Sequence, residues 1–220
     1  MKKGLLLLFC LSFFGSLQAQ DSDTGNWLIY IGSKKINDKW NWHHEIQYRN
    51  YNFIGDLEQL LIRTGIGVNL SPKNNNLLLG YGFIQSEPYI AGTDEKLSVA
   101  EHRIYQQFVT KQKFGRLAIQ HRYRIEERFV EDSDFKWRFR YFLAFNIALS
   151  QKELLPDTWY LSAYNEIFIN GQGNAFDRNR IYGALGYIVS PQLKVELGFM
   201  SQVYEKASRE QLQIAGFANF

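Results

Sequence analysis

The stretch Phe135-Lys136-Trp137-Arg138-Phe139-Arg140-Tyr141-Phe142-Leu143-Ala144-Phe145-Asn146-Ile147-Ala148-Leu149 alternates with period two over its whole length. Its odd positions (Phe135, Trp137, Phe139, Tyr141, Leu143, Phe145, Ile147, Leu149) are all apolar or aromatic. Its even positions carry Lys136, Arg138, Arg140, Phe142, Ala144, Asn146 and Ala148. Successive side chains on a strand point to opposite faces, so the pattern is that of a β-strand with one apolar and one mixed face. Strands of soluble sheets usually run 3–10 residues, shorter than this stripe.

The same division recurs along the chain. Trp40, Trp42, His44, Ile46 and Tyr48 alternate with Asn41, His43, Glu45, Gln47 and Arg49. Leu60, Ile62, Thr64, Ile66, Val68 and Leu70 alternate with Leu61, Arg63, Gly65, Gly67 and Asn69. Leu117 to Arg128 and Leu193 to Val203 divide likewise. The four prolines (Pro72, Pro88, Pro156, Pro191) all fall in the polar breaks, as a sheet with complete ladders requires, because proline has no N–H to donate. No helical period, low-complexity tract or linker interrupts the pattern. The expectation is one all-β domain.

Composition agrees. Apolar residues make up 45% of the 220 and aromatics 16%, which excludes a disordered chain. Mean hydropathy is only −0.31, which leaves no room for a bundle of apolar membrane helices. Residues 1–19 read as a cleaved export signal. Lys2 and Lys3 precede the apolar run Gly4 to Phe14, and Ala19 stands before a cut at Gln20. That run is too short to span a bilayer as a helix. Cys10 does not fit a lipoprotein signal, since bulky Phe9 precedes it. Residues 20–220 then contain no cysteine and 23 basic against 22 acidic residues, a balance that gives no support for nucleic-acid binding.

Period two alone does not say which face is wet, and a soluble lipocalin-like barrel would alternate too. Three features favour a membrane barrel, with the apolar stripe towards lipid and the polar one lining a lumen. The polar stripes carry Glu45, Arg49, Arg63, Glu101, Arg103, Arg122, Arg124, Glu126, Arg128, Arg138, Arg140, Glu166, Arg178 and Arg180. Arginine predominates there, as suits confined carboxylate pairing, and the interleaving of signs suggests mutually satisfied pairs. The segments run about 10 to 14 residues, the length a tilted strand needs to cross the hydrocarbon. Aromatics gather towards segment ends (Trp27, Trp40, Trp42, Trp159, Tyr160, Tyr187, Tyr204), where interfacial girdles would place them.

The expected fold is therefore a closed antiparallel transmembrane β-barrel of about 10–12 strands with an Arg/Glu-rich lumen. Eleven segments can be read, near 26–34, 40–52, 58–70, 77–87, 99–111, 116–129, 135–149, 158–170, 178–189, 192–204 and 209–220. Bacterial single-chain barrels have even strand numbers. Either the first segment is incomplete, one long strand is two, or one lies outside the wall. The longest connection, Ser86 to Ser98, is expected on the extracellular side.

Several motifs in order carry a resemblance. Glu101-His102-Arg103-Ile104-Tyr105-Gln106-Gln107 is followed by His121-Arg122-Tyr123-Arg124-Ile125-Glu126-Glu127-Arg128-Phe129. Then come Arg138-Phe139-Arg140-Tyr141, Asn165-Glu166-Ile167-Phe168 and Phe176-Asp177-Arg178-Asn179-Arg180-Ile181-Tyr182, leading to Gly186-Tyr187. Together they resemble the DUF2490 family of exported Bacteroidetes and proteobacterial proteins. The resemblance implies an outer-membrane β-barrel and brings no activity with it. The closing Phe217-Ala218-Asn219-Phe220 resembles the terminal aromatic signal read by barrel-insertion machinery, so lipid and that machinery are the expected partners.

No catalytic, cofactor or metal constellation stands out. His43, His44 and Glu45 are contiguous, but only one of the two histidines shares a face with Glu45. Gly171 to Arg180 resembles a calcium loop in composition without its spaced oxygen ligands. The lumen charges are read either as a selective filter or, preferably in a small barrel, as a salt-bridged plug. An enzyme is not expected; a lipid-modifying outer wall or a binding module in the Glu87–Leu97 loop are the other readings. On the membrane assignment, Leu143→Arg on the apolar stripe is expected to cost about 2–4 kcal/mol in a refolding titration, and Asn146→Arg on the other stripe much less. The reverse order would invert the assignment of faces.

Overall fold

Wherever the period-two stripes occur, a strand forms. The structure, a computed structural model, describes residues 24–72 and 74–220. The expected export signal, Cys10 and the cut before Gln20 lie outside the described residues. The strands are β1 (Gly25–Lys35), β2 (Trp40–Asn50), β3 (Leu57–Asn69), β4 (Asn75–Ser86), β5 (Val99–Phe114), β6 (Leu117–Val130), β7 (Lys136–Ala148), β8 (Thr158–Asn170), β9 (Phe176–Ile188), β10 (Leu193–Val203) and β11 (Ser208–Asn219). Each pairs with its neighbours in sequence, and β1 pairs with β11 to close the barrel. Closure leaves no strand edge unpaired.

The parity question has a plain answer. All eleven segments stand in the wall, each as one strand, so none of the three explanations for an odd count applies. Successive strands of a meander reverse direction, so the first and eleventh run the same way and their seam has to be parallel. It is: Gly25 faces Gln211 and Ser33 faces Asn219, while every other pair is antiparallel. The expected all-antiparallel wall is therefore corrected at one seam. Phe220 extends that seam, donating its N–H to Ser33 O (2.9 Å) and accepting from Lys35 N (2.7 Å).

Connections alternate between two rims. One rim holds the Pro88 loop (87–98) with 51–56, 131–135, 171–175 and 204–207; the other holds the Gly115 turn (115–116) with 36–39, 70–74, 149–157 and 189–192. We call them the Pro88 rim and the Gly115 rim. Gly115 takes φ +56° at the first centre of a two-residue turn, a position where glycine meets no steric cost. The four prolines lie outside the strands.

Burial assigns the faces. In β7, Phe139 is 43% and Ile147 43% exposed, whereas Arg138 is 4% and Arg140 7% exposed. The apolar stripes are outside and the charges inside. Two aromatics assigned to a girdle prove to be interior: Trp27 and Tyr160 are both buried. Trp27 packs with Tyr182, Ala184 and Met200 inside the barrel. Trp40, Trp42 and Trp159 do face outward at the Gly115 rim, with Trp159 against Tyr187 at 4.9 Å between ring centres.

Inward glycines make room for inward tyrosines. A Cβ on Gly80 would overlap the Tyr105 ring, and one on Gly186 the Tyr160 ring. Gly80→Ala is expected to cost about 1–3 kcal/mol in a urea titration. The penalty should shrink when Tyr105→Leu is added, whereas Gly183→Ala, which meets nothing within 4 Å, should be near neutral. Additive Gly80 and Tyr105 effects would show that the ring does not need this space.

Candidate functional site in the barrel interior

Strand alternation carries the fourteen candidate lumen residues inward, most of them into the half of the barrel nearer the Pro88 rim. Glu126 on β6 is fully buried at their centre. Arg138 reaches it through Nε (2.9 Å) and Nη2 (2.5 Å), Arg140 through Nη1 (2.6 Å), Arg124 at 3.5 Å and Arg103 at 3.9 Å. Arg140 then bridges to Glu166 on β8 (2.6 Å), which also accepts from Arg122 (2.7 Å) and stands 3.9 Å from Arg180. Glu101 is gripped by two guanidinium forks, Arg103 (2.5 and 2.8 Å) and Arg128 (2.6 and 3.0 Å). A second group forms on β2 and β3, where Glu45 accepts from Arg63 (2.5 Å) and from Gln47. Arg49 donates to Gln47 (3.1 Å) and Gln59 (2.7 Å).

The expectation of mutually satisfied ion pairs needs correction. Ten of the fourteen residues are arginines and four are glutamates, so carboxylates cannot serve them all. Amide oxygens take part of the excess: Gln107 accepts from Arg124 (2.5 and 2.9 Å), and Gln202 from Arg180 (2.7 and 2.9 Å). Aromatic faces take more. The guanidinium carbons of Arg140 and Arg180 lie 4.4 and 4.6 Å from the Phe168 centroid, and Arg49 lies 3.7 Å from that of Trp27. Such contacts gain strength when desolvated.

Sequence reasoning missed two acids because of β-bulges. The wall has register shifts at Arg49/Asn50 and at Phe168/Ile169. The residues skipped by the ladder are Glu58 and Asp177, and a bulge re-aims the side chain it frees. Asp177 reaches Arg138 and Arg178, each at 3.1 Å. Glu58 reaches Arg209 at 2.9 Å. Strict alternation would have turned both acids outward, and no signal in the pattern marks a bulge at either place.

Nearer the Gly115 rim the inward residues are smaller, among them Ala144, Asn146, Ser162 and Ala215, and space remains between the walls. A cavity of about 560 Å³ runs from turn residues Ser71, Pro72 and Asn74 down to Arg122, Arg140, Glu166 and Arg180. It does not reach Glu101, Glu126, Arg128 or Arg138. Beyond that floor, Glu126 and Met200 are 0% exposed and Phe168 is 1% exposed. The cavity thus opens at the Gly115 rim and ends on packed residues around Glu126, although on the β1–β2 side it also touches Trp27 and Arg49.

The remaining chemistry-bearing residues separate. His43 turns inward to 3.4 Å from Glu45, while His44 turns outward to the Tyr30 hydroxyl (2.9 Å). The outward His102 and His121 likewise bond tyrosine hydroxyls, Tyr81 (2.6 Å) and Tyr141 (2.9 Å). Ser162 faces the cavity, away from these outward histidines. Arg178 and Arg180 both point inward from β9, as the calcium-loop alternative did not require. The Pro88 loop is tied to the rim: Lys96 bonds Asp56 and Leu57 O (2.7 Å), and Tyr89 bonds Asp56 (2.9 Å). Although burial opposes it, bonding from Lys96 and Tyr89 holds the Asp56 carboxyl below its ordinary range.

These features define a class: a closed barrel, apolar outside, whose interior is filled over half its height by buried arginines and the groups that satisfy them. The chain belongs to the family described as a protein of unknown function, DUF2490, whose model matches residues 24–213, from before β1 into β11. No curated protein and no solved structure matches it.

Glu126 is the residue on which this packing turns. Glu126→Gln keeps the shape but leaves four buried guanidiniums without their shared charge, and is expected to cost about 3–5 kcal/mol in a urea refolding titration. Glu153→Gln, which breaks an exposed pair with Lys113, is expected to cost under about 1 kcal/mol. Similar losses for the two would remove Glu126 from its central role.

Proposed function

We propose that the protein is an outer-membrane β-barrel without catalytic activity and without a through-pore, exported by the signal in residues 1–19. The observation that carries the proposal is the packing of the Pro88 half, where Glu126 and the guanidiniums of Arg103, Arg124, Arg138 and Arg140 around it are buried. The outer wall supports the membrane setting. Large apolar side chains such as Phe139, Ile66, Leu79, Leu197 and Phe199 are exposed on it, an arrangement that soluble monomers rarely tolerate over a wide area. The shortest strands have 11 residues, about 36 Å of chain. At the usual tilt of about 40° they rise about 28 Å, close to the hydrocarbon thickness.

Tryptophans at the Gly115 rim are consistent with an interfacial girdle. The exposure of Phe220 on the closing seam supports its reading as a signal for the insertion machinery. The longer Pro88 loop then belongs outside the cell and the Gly115 rim in the periplasm, following the usual pattern of long outer loops and short inner turns.

Planar-bilayer recording of the refolded chain from Gln20 tests the closed interior. Inserted barrels are expected to show no steady openings. Ion-selective openings that change on Arg124→Gln or Arg140→Gln would make the network a filter and overturn this reading.

A further inference from the structure

We propose that the cavity at the Gly115 rim is a binding site for a small organic oxyanion, a phosphate or carboxylate borne on an apolar or aromatic body. The proposal rests on the closed-interior reading, because a blind cavity holds a ligand where a pore would pass it. Eight basic side chains line the cavity against three carboxylates, Glu45, Glu166 and Glu196. Those carboxylates are already engaged. Glu45 holds Arg63 at 2.5 Å, Glu166 holds Arg140 and Arg122, and Glu196 accepts the hydroxyls of Tyr160 (2.9 Å) and Tyr182 (3.3 Å).

Several cations are left over. Among the described residues Lys111 makes no ion pair. Lys194 approaches Glu196 only to 3.8 Å and lies over the Phe217 ring at 4.2 Å. Arg122 gives one amine to Glu166 while its buried Nε has no partner. In the packed half, glutamine oxygens and aromatic faces absorb the arginine excess. In the cavity Lys111 has neither kind of partner among the described residues, and Lys194 has ring faces and a carboxylate no nearer than 3.8 Å. The two stand on β5 and β10, opposite walls of the barrel.

Charge of one sign confined between low-dielectric walls concentrates counter-ions of the other sign. Lysine ammoniums with free donors bind phosphate and carboxylate oxygens through charge-assisted bonds. The body of the ligand has a surface to meet: Ile29, Ile31, Val109, Phe142 and Phe217 also line the cavity. Its volume of about 560 Å³ is in the range of small-molecule sites.

The test is a titration calorimetry experiment on the full chain refolded in neutral detergent micelles, with phenyl phosphate as probe and benzylammonium as the cation of matching body. Saturable one-site binding of phenyl phosphate and none of benzylammonium is expected. Lys111→Gln with Lys194→Gln should weaken phenyl phosphate by at least about tenfold, while Lys113→Gln outside the cavity should not. The two lysines are solvent-accessible and unneeded by the network, so the double variant should refold normally. Absence of phenyl phosphate binding, equal binding of benzylammonium, or unchanged affinity in the double variant would overturn the site. Micelle binding is read independently of conduction. Steady bilayer currents with intact, lysine-dependent binding would overturn the closed interior and keep the site; a silent barrel that ignores phenyl phosphate would do the opposite.

Discussion

Four guanidinium groups from three strands converge on the Glu126 carboxylate, and the rest of the interior is arranged around the consequences. Removing charge from water is tolerable only where partners replace the lost hydration. Here the partners are drawn from every wall: Glu101 on β5, Glu166 on β8, Gln202 on β10, Trp27 on β1 and the bulged Asp177 on β9. A strand displaced by one residue would turn its contribution outward, so the network fixes register as well as filling space. The preference for arginine over lysine follows from the same geometry, since a planar fork can serve two carboxylates at once, as Arg140 does.

Much of this was legible in the chain. The alternation of Phe135 to Leu149 marks the strand and its two faces, and the polar stripes are the ones the wall turns inward, eleven of the fourteen named charges being buried. What alternation could not supply were the places where it fails. Glu58 and Asp177 enter the interior through bulges, and a bulge depends on how two strands match in length, which neither strand records by itself. Trp27 and Tyr160 were misplaced because an aromatic near a strand end suits either an interface or a packed interior. The cavity was invisible for a related reason: Ala144, Ser162 and Ala215 come from separate strands and define a space only when the wall closes. The parallel seam was missed although eleven segments were counted: an antiparallel wall was expected, whereas an odd meander has no way to close but with its first and last strands parallel.

The two halves of the interior obey different rules. Near the Pro88 rim, long side chains meet across the lumen and the centre around Glu126 is buried, so most polar atoms there find protein partners, while Arg128 and Arg178 towards the rim stay partly exposed. Near the Gly115 rim, small inward residues leave the space inside the closed wall unfilled, and solvent can satisfy what protein does not. The tethered Pro88 loop adds to the closed end, because Lys96 and Asp56 fasten it to the neighbouring connection. One end of the barrel is therefore filled and its longest loop tethered, while the other keeps a cavity of about 560 Å³.

The parallel seam also governs how the polypeptide could be rewired. In a barrel with an even strand number, the chain enters and leaves at one rim, and a short peptide can join the two ends. Here β1 starts at the Pro88 rim and β11 finishes at the Gly115 rim. A joining segment would have to travel the full height of the wall, at least about ten extended residues. It would run either through an interior that arginines already occupy or along an apolar outer surface. Joining the end of β11 to the start of β1 is thus harder here than in an even meander, because the two lie at opposite rims of the barrel.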